Sequence, residues 1–146
     1  MEALFFTYPS WSTAVIRIVL GVIFFAHGAQ KVLGWFGGRG LKATVQYFTS
    51  TGLPLPIAYL VCFFEFLGGT GLVLGFLTRL AALAVLIVMI GAIVKVHAQH
   101  GFFLNMSSTP GKGHGIEFNL ALAAMALACL IAGGGMLSID RAIAGP

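Results

Sequence analysis

Residues 117–140, EFNLALAAMALACLIAGGGMLSID, carry an acid at each end and no charge between Glu117 and Asp140. A helix needs about 20 consecutive apolar residues to cross the hydrocarbon core of a bilayer, and this stretch supplies them. Three further segments share its character. The chain therefore reads as four spans, at roughly 13–34, 56–77, 79–98 and 116–137. The predicted fold is an all-α, four-helix transmembrane bundle, with residues 1–146 forming a single integral membrane domain.

The composition leads to the same solvent. Hydrophobic residues make up 59% of the 146 and charged residues 8%, with a mean hydropathy of +1.01. Soluble domains carry about 25% charged residues, so four acids and eight bases are too few to wet a soluble surface of this size. The net charge of +4 is not a nucleic-acid footprint. Arg17, Lys31, Arg39, Lys42, Arg79, Lys95, Lys112 and Arg141 form no run or stripe, as a phosphate-tracking surface requires. Basic residues near span ends fit snorkelling and contact with anionic membrane lipid. Cys62 and Cys129 lie inside apolar runs, and no CxxC occurs. They read as small buried apolar side chains, not as a redox pair. MEALFFTYPSW at the N-terminus lacks the basic region of a secretory signal, so the first apolar segment reads as a retained span.

Tyr8 and Trp11 before the first span, and Trp35 and Phe36 after it, form an aromatic belt. Ser10 or Ser12 can cap its helix. Between spans one and two, GLKATVQYFTSTG places Leu41, Val45 and Phe48 on one helical face, predicting a short helix lying in the interface. Spans two and three meet in a tight turn near GFLTR, and QHGFFLNMSSTPGKGHG joins spans three and four as a Gly- and Ser-rich loop. An even number of spans puts both termini on one side. The excess of Lys and Arg on the loop side is too small to orient the chain.

This topology gathers polar residues at one end of the bundle: His27 and Lys31 from span one, Glu65 from span two, Lys95, His97 and His100 from span three, and Glu117 and Asn119 from span four. Counted at 1.5 Å per residue, Glu65 lies roughly 13 Å and His27 roughly 10 Å below that surface. His27 and Lys31, four apart, share a face with Arg17, Gly21, Phe24 and Gly28, whereas Gln30 points elsewhere. In span two, Ala58, Cys62, Glu65, Gly69 and Leu72 share a stripe. Lys95 and His97 are about 200° apart on a helix, so only one of them can face inward, and Glu117 and Asn119 conflict in the same way. A carboxylate at mid-membrane costs about 2.5–3.5 kcal/mol on insertion scales. Glu65 must therefore be paired, protonated or hydrated. Lys31, His27 and Arg17 are its candidate partners, with Arg17 in reach only at full extension. The structural alternative is that such buried charges only fix helix register.

Weaker signals carry no chemistry. PGKGHG, residues 110–115, lacks the spacing of a phosphate loop. A haem between His27 and His97 is disfavoured, since neither their phases nor the many phenylalanines open a slot for it. His97, His100 and His114 lack the close spacing of a zinc site. No metal or covalent cofactor is expected.

RIVLGVIFFAHGAQKVLGWFGG (17–38), FFEFLGGTGLVLGFLTRLAAL (63–83), HGFF (100–103) and EFNLALAAMALACLIAGGGMLSID (117–140) together resemble the DoxX family of small bacterial membrane proteins. The resemblance runs from about Arg17 to Asp140, and Arg17, His27, Gln30, Lys31, Glu65 and Asp140 stand on its motifs. It implies four transmembrane helices in a bacterial inner membrane. It also implies a link to membrane redox chemistry, because some relatives are subunits of thiosulfate:quinone oxidoreductase and others belong to redox-stress complexes. The chain lacks the extra domain or cysteine pair of a self-sufficient redox enzyme.

The expected function is a multi-pass membrane subunit that holds a small redox-linked molecule, a quinone or a sulfur compound, in a polar pocket. Arg17, His27, Lys31, Glu65, His97 and Glu117 are the expected pocket residues, and no catalytic residue is assigned. Such a subunit works with a redox partner protein or as a homo-oligomer. The alternatives are a permeation path for a small anion, using Arg17, Lys31 and His27, and a non-catalytic assembly protein.

Overall fold

A computed structural model describes residues 2–145. Met1 and Pro146, which the single-domain reading included, lie outside the described residues. The chain is helical, with no strand among the described residues: α1 (Glu2–Phe5), α2 (Trp11–Val32), α3 (Gly40–Ser50), α4 (Leu55–Leu74), α5 (Thr78–Ala92), α6 (Glu117–Ala132) and α7 (Ile139–Ala144). A π turn at Ile93–His97 and a 3-10 turn at Ala98–His100 prolong α5. Trp11–Val32, Leu55–Leu74 and Thr78–His100 are long and apolar enough to cross a membrane. The helices α2, α4, α5 and α6 pack in a ring, α2 against α4, α4 against α5, α5 against α6, and α6 back against α2.

Local chemistry sets the helix ends. The Ser10 hydroxyl caps α2 by accepting from Thr13 N at 3.2 Å. Pro54 and Pro56 suit the start of α4, where their missing N–H groups leave no gap. Left-handed Gly75 (φ 65°) ends that helix. The expected turn at GFLTR is then closed by Asp140, whose carboxylate accepts from Leu77 N at 2.7 Å and Thr78 N at 2.8 Å. The predicted helix after span one is α3. Its Val45 packs with Ala58 and Cys62 of α4, flanked by Leu41 and Phe48.

Small residues bring α2 and α4 to backbone contact. A Cβ built on Gly28 would lie 2.4 Å from Phe66 Cα, one on Gly69 2.2 Å from Phe25 N, and one on Gly21 2.6 Å from Val73 N. Lipid tails do not drive helices together as water does, so this close packing is the cohesion available to the pair. Val15, Val19, Val22, Leu67, Ile87, Ile90, Leu127 and Ile131 face outward, exposed. An apolar exterior of that extent belongs against lipid or a partner.

Residues 117–140 depart most from expectation. Their helix, α6, stops at Ala132 instead of running to residue 137, and its 16 residues span about 24 Å. Gly133 (φ 80°) and Gly135 (φ 67°) leave the helical region, and the Gly134 carbonyl turns to accept from Arg17 Nε at 2.8 Å. Arg17 is fully buried, and its guanidinium also donates to the carbonyls of Leu72 (2.5 Å), Val73 (2.8 Å), Met136 (3.5 Å) and Leu137 (3.1 Å). This corrects the expectation that Arg17 shares a pocket with Lys31. Fourteen residues, about 21 Å of helix, separate them. Arg17 instead closes the open carbonyl end of α4 onto the glycine turn after α6.

Gly28→Ala and Gly69→Ala are each expected to lower stability by about 1–3 kcal/mol, since the added methyl meets rigid backbone. Gly91→Ala, where nothing lies within 4 Å of the new Cβ, should cost nothing. Thermal unfolding of the detergent-solubilised variants measures the difference.

Candidate functional site

The contact of α2 with α4 also aligns the charges. Gly28 packs on Glu65 and Phe66, and Gly69 on Phe24 and Phe25. Lys31 lies one turn beyond Gly28, and Glu65 one turn before Gly69. In antiparallel helices this brings the two side chains together, and Lys31 Nζ forms an ion pair with Glu65 Oε2. Their side chains are 21% and 8% exposed, so the carboxylate is shielded while the ammonium keeps an edge open. Glu65 stands ten residues into α4, about 15 Å along it.

Beside the pair lies a cavity of about 490 Å³. His27, Lys31, Glu65 and His97 are in its wall, with His114 and Asn119. Ile23, Phe24, Met89, Ala92, Leu104, Phe118 and Leu122 make the rest apolar. His27 is exposed at the open side. Four of the six expected pocket residues thus meet at one cavity.

The π turn decides the conflict between Lys95 and His97. Its i→i+5 hydrogen bonding inserts an extra residue into the helical phase, so Met89, Ala92 and His97 line the same wall while Lys95 is exposed. His97 Nδ1 donates to the His114 carbonyl at 2.8 Å. The loop that carries His114 is knotted on Asn105. Its amide donates to the carbonyls of Thr109 (3.0 Å) and Lys112 (2.7 Å) and accepts from Thr109 N (3.0 Å).

Glu117 is not in the cavity wall. Its carboxylate accepts from Leu104 N at 3.1 Å and pins the loop to the start of α6, so its expected pocket role is corrected to a loop anchor. Asn119, two residues on, is the member of that pair that reaches the cavity, and its amide donates to Met89 Sδ at 3.6 Å. Gln30 is turned away, its amide donating to the Phe36 carbonyl at 3.2 Å. Leu104 escaped sequence reasoning, and His114 entered it only as a disfavoured zinc ligand, because a glycine-rich loop has no period from which to place a side chain. Among the described residues no three His, Cys, Asp or Glu side chains gather as a metal site.

An all-helical chain with three membrane-length helices and a buried ion pair beside an apolar cavity defines a class, small polytopic membrane proteins. The chain belongs to the DoxX family, whose profile matches residues 12–98. It is 30% identical to "Putative oxidoreductase CatD" of Bacillus subtilis, over 88% of this chain and 84% of that one. An uncharacterized membrane protein of Mycobacterium tuberculosis is 32% identical, over 91% of this chain and 88% of its own. Inner membrane protein YphA of Escherichia coli is 30% identical, over 87% and 86%. No solved structure matches.

Removing one member of the ion pair strands the other. Lys31→Met alone should cost about 3 kcal/mol, whereas adding Glu65→Gln to it should restore most of that. A thermal-unfolding double-mutant cycle checks this, and additive losses would show that the pair contributes nothing to the bundle.

Proposed function

We propose that the chain crosses a bacterial inner membrane four times and binds a small redox-linked molecule, a quinone or a sulfur compound, in the cavity between α2 and α6. The fourth crossing is α6 together with the glycine turn that follows it. At about 24 Å the helix is shorter than a hydrocarbon core of about 30 Å. Arg17 satisfies the turn's carbonyls, which lets irregular backbone continue at membrane depth. The membrane and inner-membrane names of the relatives support this placement.

One observation carries the ligand reading: a cavity of about 490 Å³ with a mostly apolar wall holds an ion pair and three histidines. Pockets of about 300–1,000 Å³ with few polar groups are the usual form of small-molecule sites. An intramembrane ionisable pair facing a cavity is by default a candidate functional site. The oxidoreductase name of one relative supports a redox-linked guest. In this reading a redox partner protein carries electrons to and from the guest.

The assembly reading draws on the same ion pair, since Lys31 and Glu65 join α2 to α4. The double variant Lys31→Met/Glu65→Gln separates the two, because it leaves no stranded charge. Mass spectrometry of lipophilic molecules co-purifying with the detergent-solubilised protein should find a guest on the wild type. The double variant should lose it by at least tenfold while staying folded. An unchanged complement of bound molecules in that variant would leave only the assembly role.

A further inference from the structure

We propose that His97 and His114 select the guest by hydrogen-bond polarity. The cavity takes an uncharged ring bearing a hydroxyl, which both donates and accepts, in preference to an anion or to a molecule that only accepts. This deepens the ligand-site reading above and rests on it.

The backbone assigns both tautomers. A carbonyl oxygen only accepts, so the 2.8 Å contact of His97 Nδ1 with the His114 carbonyl puts a proton on Nδ1. In a neutral imidazole Nε2 is then a bare acceptor. A backbone N–H only donates, so the 3.2 Å contact from Asn105 N makes His114 Nδ1 an acceptor and puts the proton on Nε2. The second nitrogens of the two rings therefore have opposite polarity, and both residues line one cavity. A hydroxyl, which both donates and accepts, is the chemical complement of such a pair.

Charge argues against an anion. Lys31 already holds Glu65, so an entering anion must compete with a shielded carboxylate for the cavity's lysine. A neutral guest meets no such rival. Phe24, Phe118 and Met89 supply the faces and the thioether that favour an aromatic ring.

Purified full-length protein in lipid nanodiscs provides the test, with para-butylphenol, its methyl ether and thiosulfate as probes in a direct binding assay. The phenol should bind about fivefold more tightly than the ether, the value of one added hydrogen bond, and thiosulfate should not compete. In His97→Asn the amide N–H replaces Nδ1–H toward the His114 carbonyl, but nothing replaces Nε2, so the preference for phenol should vanish. His97→Gln places an amide near Nε2 and should keep it. Equal binding of phenol and ether by the wild type, or a preference that survives in His97→Asn, overturns the polarity inference and leaves the cavity a ligand site. Tighter binding of thiosulfate overturns it in favour of an anion path. Binding of no probe overturns it together with the ligand reading itself.

Discussion

Contact between the backbones of α2 and α4 is the constraint on which the rest depends. Gly21, Gly28 and Gly69 leave no room for a methyl group between the helices. Once that seam is set, the register of everything along it follows. Lys31 must meet Glu65 at one end, and Arg17 must meet the last carbonyls of α4 at the other. In lipid, where packing rather than water expulsion joins helices, a charge inside the bundle has to find its partner by geometry. A seam with no slack provides that geometry.

The two ends solve the problem of buried charge differently. At the terminal end the partners are backbone groups. Arg17 donates to the carbonyls of α4 and the glycine turn, and Asp140 accepts from the first N–H groups of α5. Arg79 adds a bond to the Leu130 carbonyl at 2.6 Å. At that end Arg17 and Asp140 are held by backbone groups, and the hollow lined by Ser138, Arg141, Ala142 and Gly145 borders neither of them. At the other end the partners are two side chains, with the ammonium edge open and a cavity beside them. This asymmetry makes the loop-side cluster the candidate site and the terminal cluster a clasp.

The helices and their packing face were legible in the sequence because hydropathy and the 3.6-residue period report burial directly. The shared stripes of His27 with Lys31 and of Glu65 with Gly69 narrowed the partners of Glu65 to Lys31, His27 and Arg17, of which the structure selects Lys31. Three features were not legible. The end of α6 was hidden because three glycines are as apolar as the helix before them, and only their φ values break it. Arg17 was misplaced because a single cation gives no sign that its partners are carbonyls 55 to 120 residues away. His97 and Lys95 could not be ranked because a π turn alters the helical phase and leaves no mark in composition.

That turn, with the loop it serves, explains how a site can be assembled partly from irregular chain. An uninterrupted α5 would turn Val96 toward the wall and carry His97 away from it. The shift in phase brings His97 to the cavity and within reach of the His114 carbonyl. Asn105 then holds His114 through its own loop, and Glu117 ties that loop to α6. The chain of contacts runs from α5 through the loop to α6, closing the third side of a cavity whose other walls are α2 and α4. Each histidine's tautomer is a by-product of this closure, because its partner is a backbone group that can act in only one sense. On the proposed reading, the polarity a guest would meet follows from how the loop folds, and a change that loosens the loop should alter it without touching the ion pair.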